Sequence, residues 1–460
     1  MARSKWLSLA ALIAMGPANP AQGAAGAKPD LTIALGGDMI GPYSVAGADS
    51  DPDGSPVWDL FRNADAGFAN QEGSIFDAGS FRGYPAAENG GGYPLAPAAV
   101  AKDMRARGIG LVSKANNHAT DFGVEGLLAS MRALDAAGIA HAGSGMNTAA
   151  ACGATLLPTR GGPVALVSVA STFPPMSVAG EPLRSHGRTW QRPGICVIHT
   201  RLVELVSASR LARLRRDAGS AALAVSDRPG DLRIGDQLFR AAAVSGHLVE
   251  MDPADEAAVI AAIRAARPGA AAVILAVHAH ETSGSDDEMP PGGYEPLLLH
   301  RANEAPGAND PGLAAFERKL FHDAVDAGAD IVARTGPHAS FGVELYRGKA
   351  IFDGLGSLFF SFHGARSYTG PGGRTIQFPR EWFESIVPVV TMRRGRVVRI
   401  DVHAVVIESS RDAGDGRPLA APAAVAAGIL ERFRRLSVTN GARITVRQGV
   451  ATIVPEPGFQ

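Results

Sequence analysis

Short, near-continuous apolar runs alternate along this chain with stretches in which apolar residues recur every third or fourth position. The first kind reads as buried strand and the second as amphipathic helix. Leu31 to Leu35 is the first apolar run, and Gly36-Gly37-Asp38 breaks it. Leu60 to Phe68 predicts a short helix leading into Ala69-Asn70-Gln71-Glu72, and residues 76–97, rich in Gly, Ala and Pro, predict loop. Pro97 to Arg107 predicts a helix and Gly108 to Ser113 a strand. Val124, Leu127, Leu128, Met131 and Leu134 then mark one face of a helix that Gly138 stops. Strands are predicted at Ile139 to Ala142 and Val164 to Val169, so a β-α-β alternation emerges and points to a layered α/β core.

Residues 174–250 are less regular. Leu202 to Asp217 and Ile234 to Ala243 predict helices there, and the region reads as an inserted or peripheral layer. Asp255 to Ala266 predicts a helix, and Ala271 to Val277 a fully buried strand running into His278-Ala279-His280-Glu281. A long loop is predicted over Thr282 to Pro311, then a helix to Ala327 and a strand at Ala329 to Ala333, followed by Arg334-Thr335-Gly336-Pro337-His338. Strand pairs at Val343 to Tyr346 with Lys349 to Phe352, and at Val387 to Met392 with Val397 to His403, predict hairpins. The C-terminal part is thus more β than α, and no internal repeat is visible.

Composition narrows the class. A chain of 460 residues that is 46% hydrophobic can bury a large core in one big domain or two moderate ones. A net charge of -1, with no dense basic run, gives no indication of nucleic acid or of an anionic membrane surface. Arg3 and Lys5, the apolar stretch Leu7 to Met15 and small residues around Ala21-Gln22-Gly23-Ala24 read as an export signal over about the first 25 residues. The apolar stretch is too short for a firm membrane anchor. The mature protein is therefore expected outside the cytoplasm, periplasmic or secreted. Cys152 and Cys196 are the only cysteines, which leaves a single bridge open and argues against a zinc-thiolate site. Any metal here must use nitrogen and oxygen.

Several apolar runs end in residues of that chemistry: Asp38, then Asn117-His118, then His278 with His280 and Glu281, then His338. Glu72 adds another carboxylate. A carboxyl strand end is a fixed platform from which a loop can aim polar side chains into a shared cleft. Carboxylate, amide oxygen and imidazole together suit Zn, Mn, Fe or Mg. Two such ions lie about 3.5 to 4 Å apart when they clamp one ester. Each motif alone also fits a plain turn or helix cap, because Asn and Asp favour both. Asp121 reads better as a brace of the following helix than as a ligand, and Arg334 reads as a surface arginine unless it holds a phosphate or carboxylate.

The segments Gly37-Asp38-Met39-Ile40, Phe68-Ala69-Asn70-Gln71-Glu72, Asn116-Asn117-His118-Ala119-Thr120-Asp121-Phe122-Gly123, Val277-His278, Gly328-Ala329-Asp330-Ile331-Val332, Gly336-Pro337-His338, Gly342 to Lys349 and Ile351 to Ser357 occur in this order. Together they resemble the CapA proteins of bacterial capsule and poly-γ-glutamate synthesis, across about residues 30 to 365. The resemblance implies a calcineurin-like metallophosphatase fold: an α/β, layered β-sandwich flanked by helices with a β-rich C-terminal part. It implies one domain over 30–408, with 409–460 as an extension packing on it.

Carried over residue by residue, the resemblance implies metal ligation by Asp38, Glu72, Asn117, His278 and His338. His118 would face the substrate and pass a proton to the leaving oxygen. Three departures stand out. Thr335 and Gly336 occupy positions where many relatives carry histidine. Ile40 stands where general metallophosphatases place a His, a substitution that the resembling family shares. His278-Ala279-His280-Glu281 replaces the commoner His-Trp-Gly, so His280 either substitutes for a missing ligand or lies outside the site. The leading expectation is an envelope hydrolase with two divalent ions, acting on a phosphoester or an amide-linked polymer. The alternative is an accessory protein of the capsule-synthesis machinery that binds an anionic envelope polymer through a degenerate site.

Overall fold

The computed structural model describes residues 30–41, 55–86, 93–225, 228–281, 313–361, 367–369, 375–408, 416–439 and 442–455. The export segment expected at 1–25 and the loop expected over 282–311 lie outside them. The core begins with β1 (Leu31–Ile40), α1 (Pro56–Asn63), β2 (Ala66–Glu72), α2 (Ala99–Ala106), β3 (Leu111–Ser113), α3 (Gly123–Ala136), β4 (Ala140–Ala142) and β5 (Val164–Ala170). It continues with α4 (Pro253–Ala266), β6 (Ala272–His278), α5 (Ala315–Ala327), β7 (Ile331–Thr335), β8 (Val343–Tyr346), β9 (Lys349–Phe352) and β10 (Ser357–Phe360). It closes with β11 (Glu384–Arg393), β12 (Arg396–Ile407), α6 (Ala423–Leu436) and β13 (Val450–Val454).

Two sheets hold most of these strands. In the first the order is β13-β12-β11-β1-β2-β3-β4, with β10 also lying parallel to β1. β1 to β4 pair in parallel, and β11 to β13 join antiparallel. In the second the order is β8-β9-β7-β6-β5, with Thr155–Leu157 beyond β5; β9, β7, β6 and β5 run parallel, and the β8-β9 hairpin and the Thr155–Leu157 edge pair antiparallel. The class is therefore α/β, as the alternation predicts.

Side-chain alternation explains the layering. Leu31, Ile33, Leu35 and Phe68 of the first sheet share one buried cluster with Leu166, Ile274, Ala276, Ile331 and Ala333 of the second. The opposite face of the first sheet packs Ala34, Ala69 and Val112 against Val57, Phe61, Val100 and Met104 of α1 and α2. The opposite face of the second packs Val273, Leu275 and Val332 against Val259 and Ile263 of α4 and Phe316 and Leu320 of α5. Burying both faces is what makes these strands read as unbroken apolar runs.

Four sequence expectations need correction. β1 does not stop at Gly36-Gly37-Asp38 but continues to Ile40. Its pairing with β2 slips between Leu35 and Asp38, a bulge in which three steps along β1 match two along β2. Gly37 is required there, since a Cβ would stand 1.7 Å from the Gly356 carbonyl oxygen. Residues 60–68 are not one helix: α1 starts at the Ser55 cap and ends at Asn63, and 66–68 already belong to β2. Leu202 to Val206 is strand, the helix starting only at Ala208 behind the Ser207 cap. Residues 234–241 form a hairpin in which Ile234 faces Gln237 across a Gly235-Asp236 turn.

Those last strands belong to a separate five-stranded sheet within residues 200–251, covered by helix Ala208–Ala218. Before it, Gly180–Ser185 and Arg188–Arg192 form an exposed hairpin. Cys152 and Cys196 are bridged, with Cα atoms 4.9 Å apart. Helix α6, for which the periodicity reading makes no prediction, buries Ile429, Leu430 and Phe433 in the inner core.

Candidate metal centre

Along each inner-face strand the apolar residues give way to polar ones at the carboxyl end. Phe68 is followed two residues later by Asn70 and then Glu72, Ile274 and Ala276 by His278, and Ile331 and Ala333 by Thr335. The period of two places each pair on the same face. Asp38 joins them only through the bulge, which turns it onto the face of Leu35 and sets it opposite Asn70. Its amide donates to the Gly356 carbonyl at 2.9 Å, the oxygen that Gly37 leaves room for.

Asp38 is fully buried. Its Oδ1 accepts from Asn70 Nδ2 at 2.8 Å; its Oδ2 accepts from the Gly336 amide at 3.1 Å and lies 3.1 Å from His338 Nδ1. Burial by itself would push this carboxyl up. Hydrogen bonding and electrostatic interaction with His338, together with His278 and the bond from Asn70, outweigh burial and hold Asp38 well below the usual carboxylate range. One atom each from Asp38, Glu72 and His338 lie within 4.8 Å of one another, all three residues buried.

His278 completes the floor. Its Nδ1 lies 3.0 Å from Thr335 Oγ1 and 3.2 Å from Asn70 Nδ2. Its Nε2 lies 2.9 Å from Asn117 Oδ1, 3.2 Å from His280 Nε2 and 3.8 Å from Glu72 Oε1. Burial, then the neighbouring His280, pushes the His278 imidazole well below its ordinary pKa, so it stands neutral with a lone pair to offer. His118 closes the rim: its Nδ1 sits 2.8 Å from Asp121 Oδ2, leaving Nε2 turned toward Glu72, 4.0 Å away. Trp382 packs edge-on against His338 with centroids 4.7 Å apart, giving the cluster an aromatic wall.

The donor set fits a divalent cation. Two buried carboxylates converge with imidazoles, a mix of oxygen and nitrogen donors that suits such an ion. The cluster could thus hold a metal ion.

The structure brings Asp38, Glu72, Asn117, His118, His278, His280 and His338 to one place, and it puts Glu281 and Arg334 to different work. The Glu281 carboxylate accepts from Ser171 Oγ at 2.7 Å and from the His280 amide at 3.1 Å, fixing the turn that carries His280. Arg334 is fully buried rather than on the surface, because its strand position faces α5. It donates to Glu317 Oε1 at 2.6 Å, to the Asp353 carbonyl at 3.1 Å and to the Glu281 carbonyl. Desolvation still pushes the Glu317 carboxyl up to about 7 against the pull of Arg334.

Several contributors escape a motif reading. Asn70, Asn116 and Thr335 orient the donors, Asn116 donating to Asn70 Oδ1 at 3.2 Å and to the Gln71 carbonyl at 2.9 Å. Lys114 lies beneath Glu72 and Asp121 with its ammonium on the Gly73 and Gln71 carbonyls. Burial pushes it down to about 7 despite those two acids. Asn70 was legible, since it stands two residues before Glu72 on the same strand face. Nothing in the sequence marks Lys114 as buried.

Residues 32–309 match the family described as bacterial capsule synthesis protein PGA_cap. Two proteins of Sinorhizobium fredii (strain NBRC 101917 / NGR234), described as uncharacterized proteins y4sH and y4uA, are each 31% identical to this chain over 455 residues. Each alignment spans 92% of this chain and 93% of the relative.

Proposed function

The chain belongs to the bacterial capsule synthesis protein family, and on that premise we propose that it is a divalent-metal-dependent hydrolase of the cell envelope, acting on a phosphoester or an amide-linked anionic polymer. The observation that carries this reading is the buried Asp38-Glu72-His338 set with His118 held by Asp121 at its rim. Asp38, Glu72, Asn117, His278 and His338 would hold the cations, two by the number of donors. When bound, such ions supply Lewis-acid polarisation of the substrate and a nucleophile from water at neutral pH.

The chain's own groups do the remainder. Asp121 takes the Nδ1 side of His118, which fixes the ring and stabilises its protonated form. His118 Nε2 is then the atom from which a proton passes to the leaving oxygen or nitrogen. Asn70 and Thr335 orient Asp38 and His278 so that their lone pairs converge. The Cys152–Cys196 bridge supports an oxidising compartment, hence the periplasm or the exterior. Among the described residues no helix is long and apolar enough to cross a membrane.

The test is hydrolysis of a chromogenic phosphodiester with Mn, Zn or Mg, beside metal analysis of the same samples. His118→Ala is expected to lose about 10²- to 10⁴-fold in turnover while keeping its ions. Asn117→Ala is expected to lose turnover and ions together. Unchanged turnover in both variants would assign the activity elsewhere. Less than one bound equivalent without turnover would favour a polymer-binding role.

A further inference from the structure

Gly336 and His280 fit one another in a way that neither explains alone. Gly336 has φ of 117°, and a Cβ placed on it would stand 2.3 Å from His280 Cδ2 and 2.8 Å from His280 Nε2. The imidazole of His280 therefore occupies the volume that any side chain at 336 would need. It reaches that volume buried, with its Nε2 3.2 Å from His278 Nε2 and its ring centroid 4.9 Å from that of His278 and 6.1 Å from that of His338.

The backbone behind the ring is fixed from several sides. The His280 amide donates to Thr172 Oγ1 and Glu281 Oε2, both at 3.1 Å, and Ser171 holds the same carboxylate. Arg334, locked on Glu317, donates to the Glu281 carbonyl. A buried acid and a buried arginine are thus committed to one turn, and that turn presents an imidazole to the cluster. His278 Nε2 faces both His280 Nε2 at 3.2 Å and Asn117 Oδ1 at 2.9 Å. Separations of about 3 Å are those between neighbouring ligand atoms that each lie about 2 Å from one cation.

We propose that His280 is a further imidazole ligand of the centre, admitted by the absence of a side chain at Gly336. The inference rests on the metal-centre reading and deepens it: His278, His280 and Asn117 would share one cation.

The experiment measures binding of Mn²⁺ or Zn²⁺ alone to the full chain by equilibrium dialysis and metal analysis, with apo-protein melting as the folding control. His280→Phe keeps a ring in the space and removes its nitrogens. It is expected to bind one equivalent fewer, or at least about tenfold more weakly, with apo melting unchanged. Gly336→Ala, whose Cβ would meet the ring and also the Ala279 carbonyl at 2.7 Å, is expected to weaken binding in the wild-type background. If wild type binds ions, Asp38→Asn loses them and His280→Phe keeps them at full strength, this inference falls and the metal centre stands. If wild type binds none, both fall.

Discussion

Lys114 is where a single residue's environment has the most measurable consequence. Its ammonium bonds the carbonyls of Gln71 and Gly73, immediately on either side of Glu72, so it holds the strand end that delivers that carboxylate. Replacing it by Met leaves two buried carbonyls without that donor, and the expected loss of stability is about 1–3 kcal/mol. The pH dependence follows from its depressed pKa of about 7 in the fold. The unfolded chain keeps the proton to about 10.4, so between the two values the unfolded state binds more protons and stability rises with pH. Denaturant melts of metal-stripped protein at pH 7, 8.5 and 10 are expected to show that rise in wild type and a flatter profile in Lys114→Met. Equal slopes would remove the buried cation from the account.

At the scale of elements, β1 shows how much one bulge decides. The slip between Leu35 and Asp38 moves Asp38 from the helix-packed face to the face shared by the two sheets, and Gly37 makes the slip affordable by letting the Gly356 carbonyl approach. Gly37→Ala forces that carbonyl away from the Asp38 amide it accepts from. Destabilisation of about 1–3 kcal/mol or more is expected, together with loss of divalent-ion binding. An alanine variant with full stability and full ion content would mean that the bulge is not what aims Asp38. The misread elements fail for local reasons of the same kind. Leu202, Val203, Leu205 and Val206 fit a helical stripe, yet the Ser207 cap marks the true helix start. Gly235-Asp236 is a two-residue hairpin turn hidden inside an apparently helical stretch.

For the whole molecule, the site exists because the carboxyl ends of β1 and β2 in one sheet and of β6 and β7 in the other meet over a common core. The Cys152–Cys196 bridge closes a loop with a sequence separation of 44 beside that junction, around β5 and the segment leaving it. Chain-entropy arguments put such a closure at about 4 kcal/mol. Reductant is expected to lower the melting temperature of wild type, while a Cys152→Ser, Cys196→Ser double variant melts low and indifferent to reductant. A wild type that melts identically with and without reductant would show that the bridge carries no stability. The family resemblance read from ordered short motifs is borne out by the match over residues 32–309, although that match ends before Gly336 and His338.

The sequence by itself determined the α/β class, the strand ends where chemistry concentrates and the family, because these depend on local periodicity and on short motifs. It did not determine which face Asp38 takes, since that turns on one extra residue in a strand pairing. Nor did it determine that Arg334 is buried on Glu317, or that His280 fills the space above Gly336. Those facts follow from contacts between segments far apart in the chain, Asp38 with His338 and Arg334 with Glu317 and Glu281. Such contacts form only when the sheets pack, and packing, not propensity, sets where a polar side chain must find its partner.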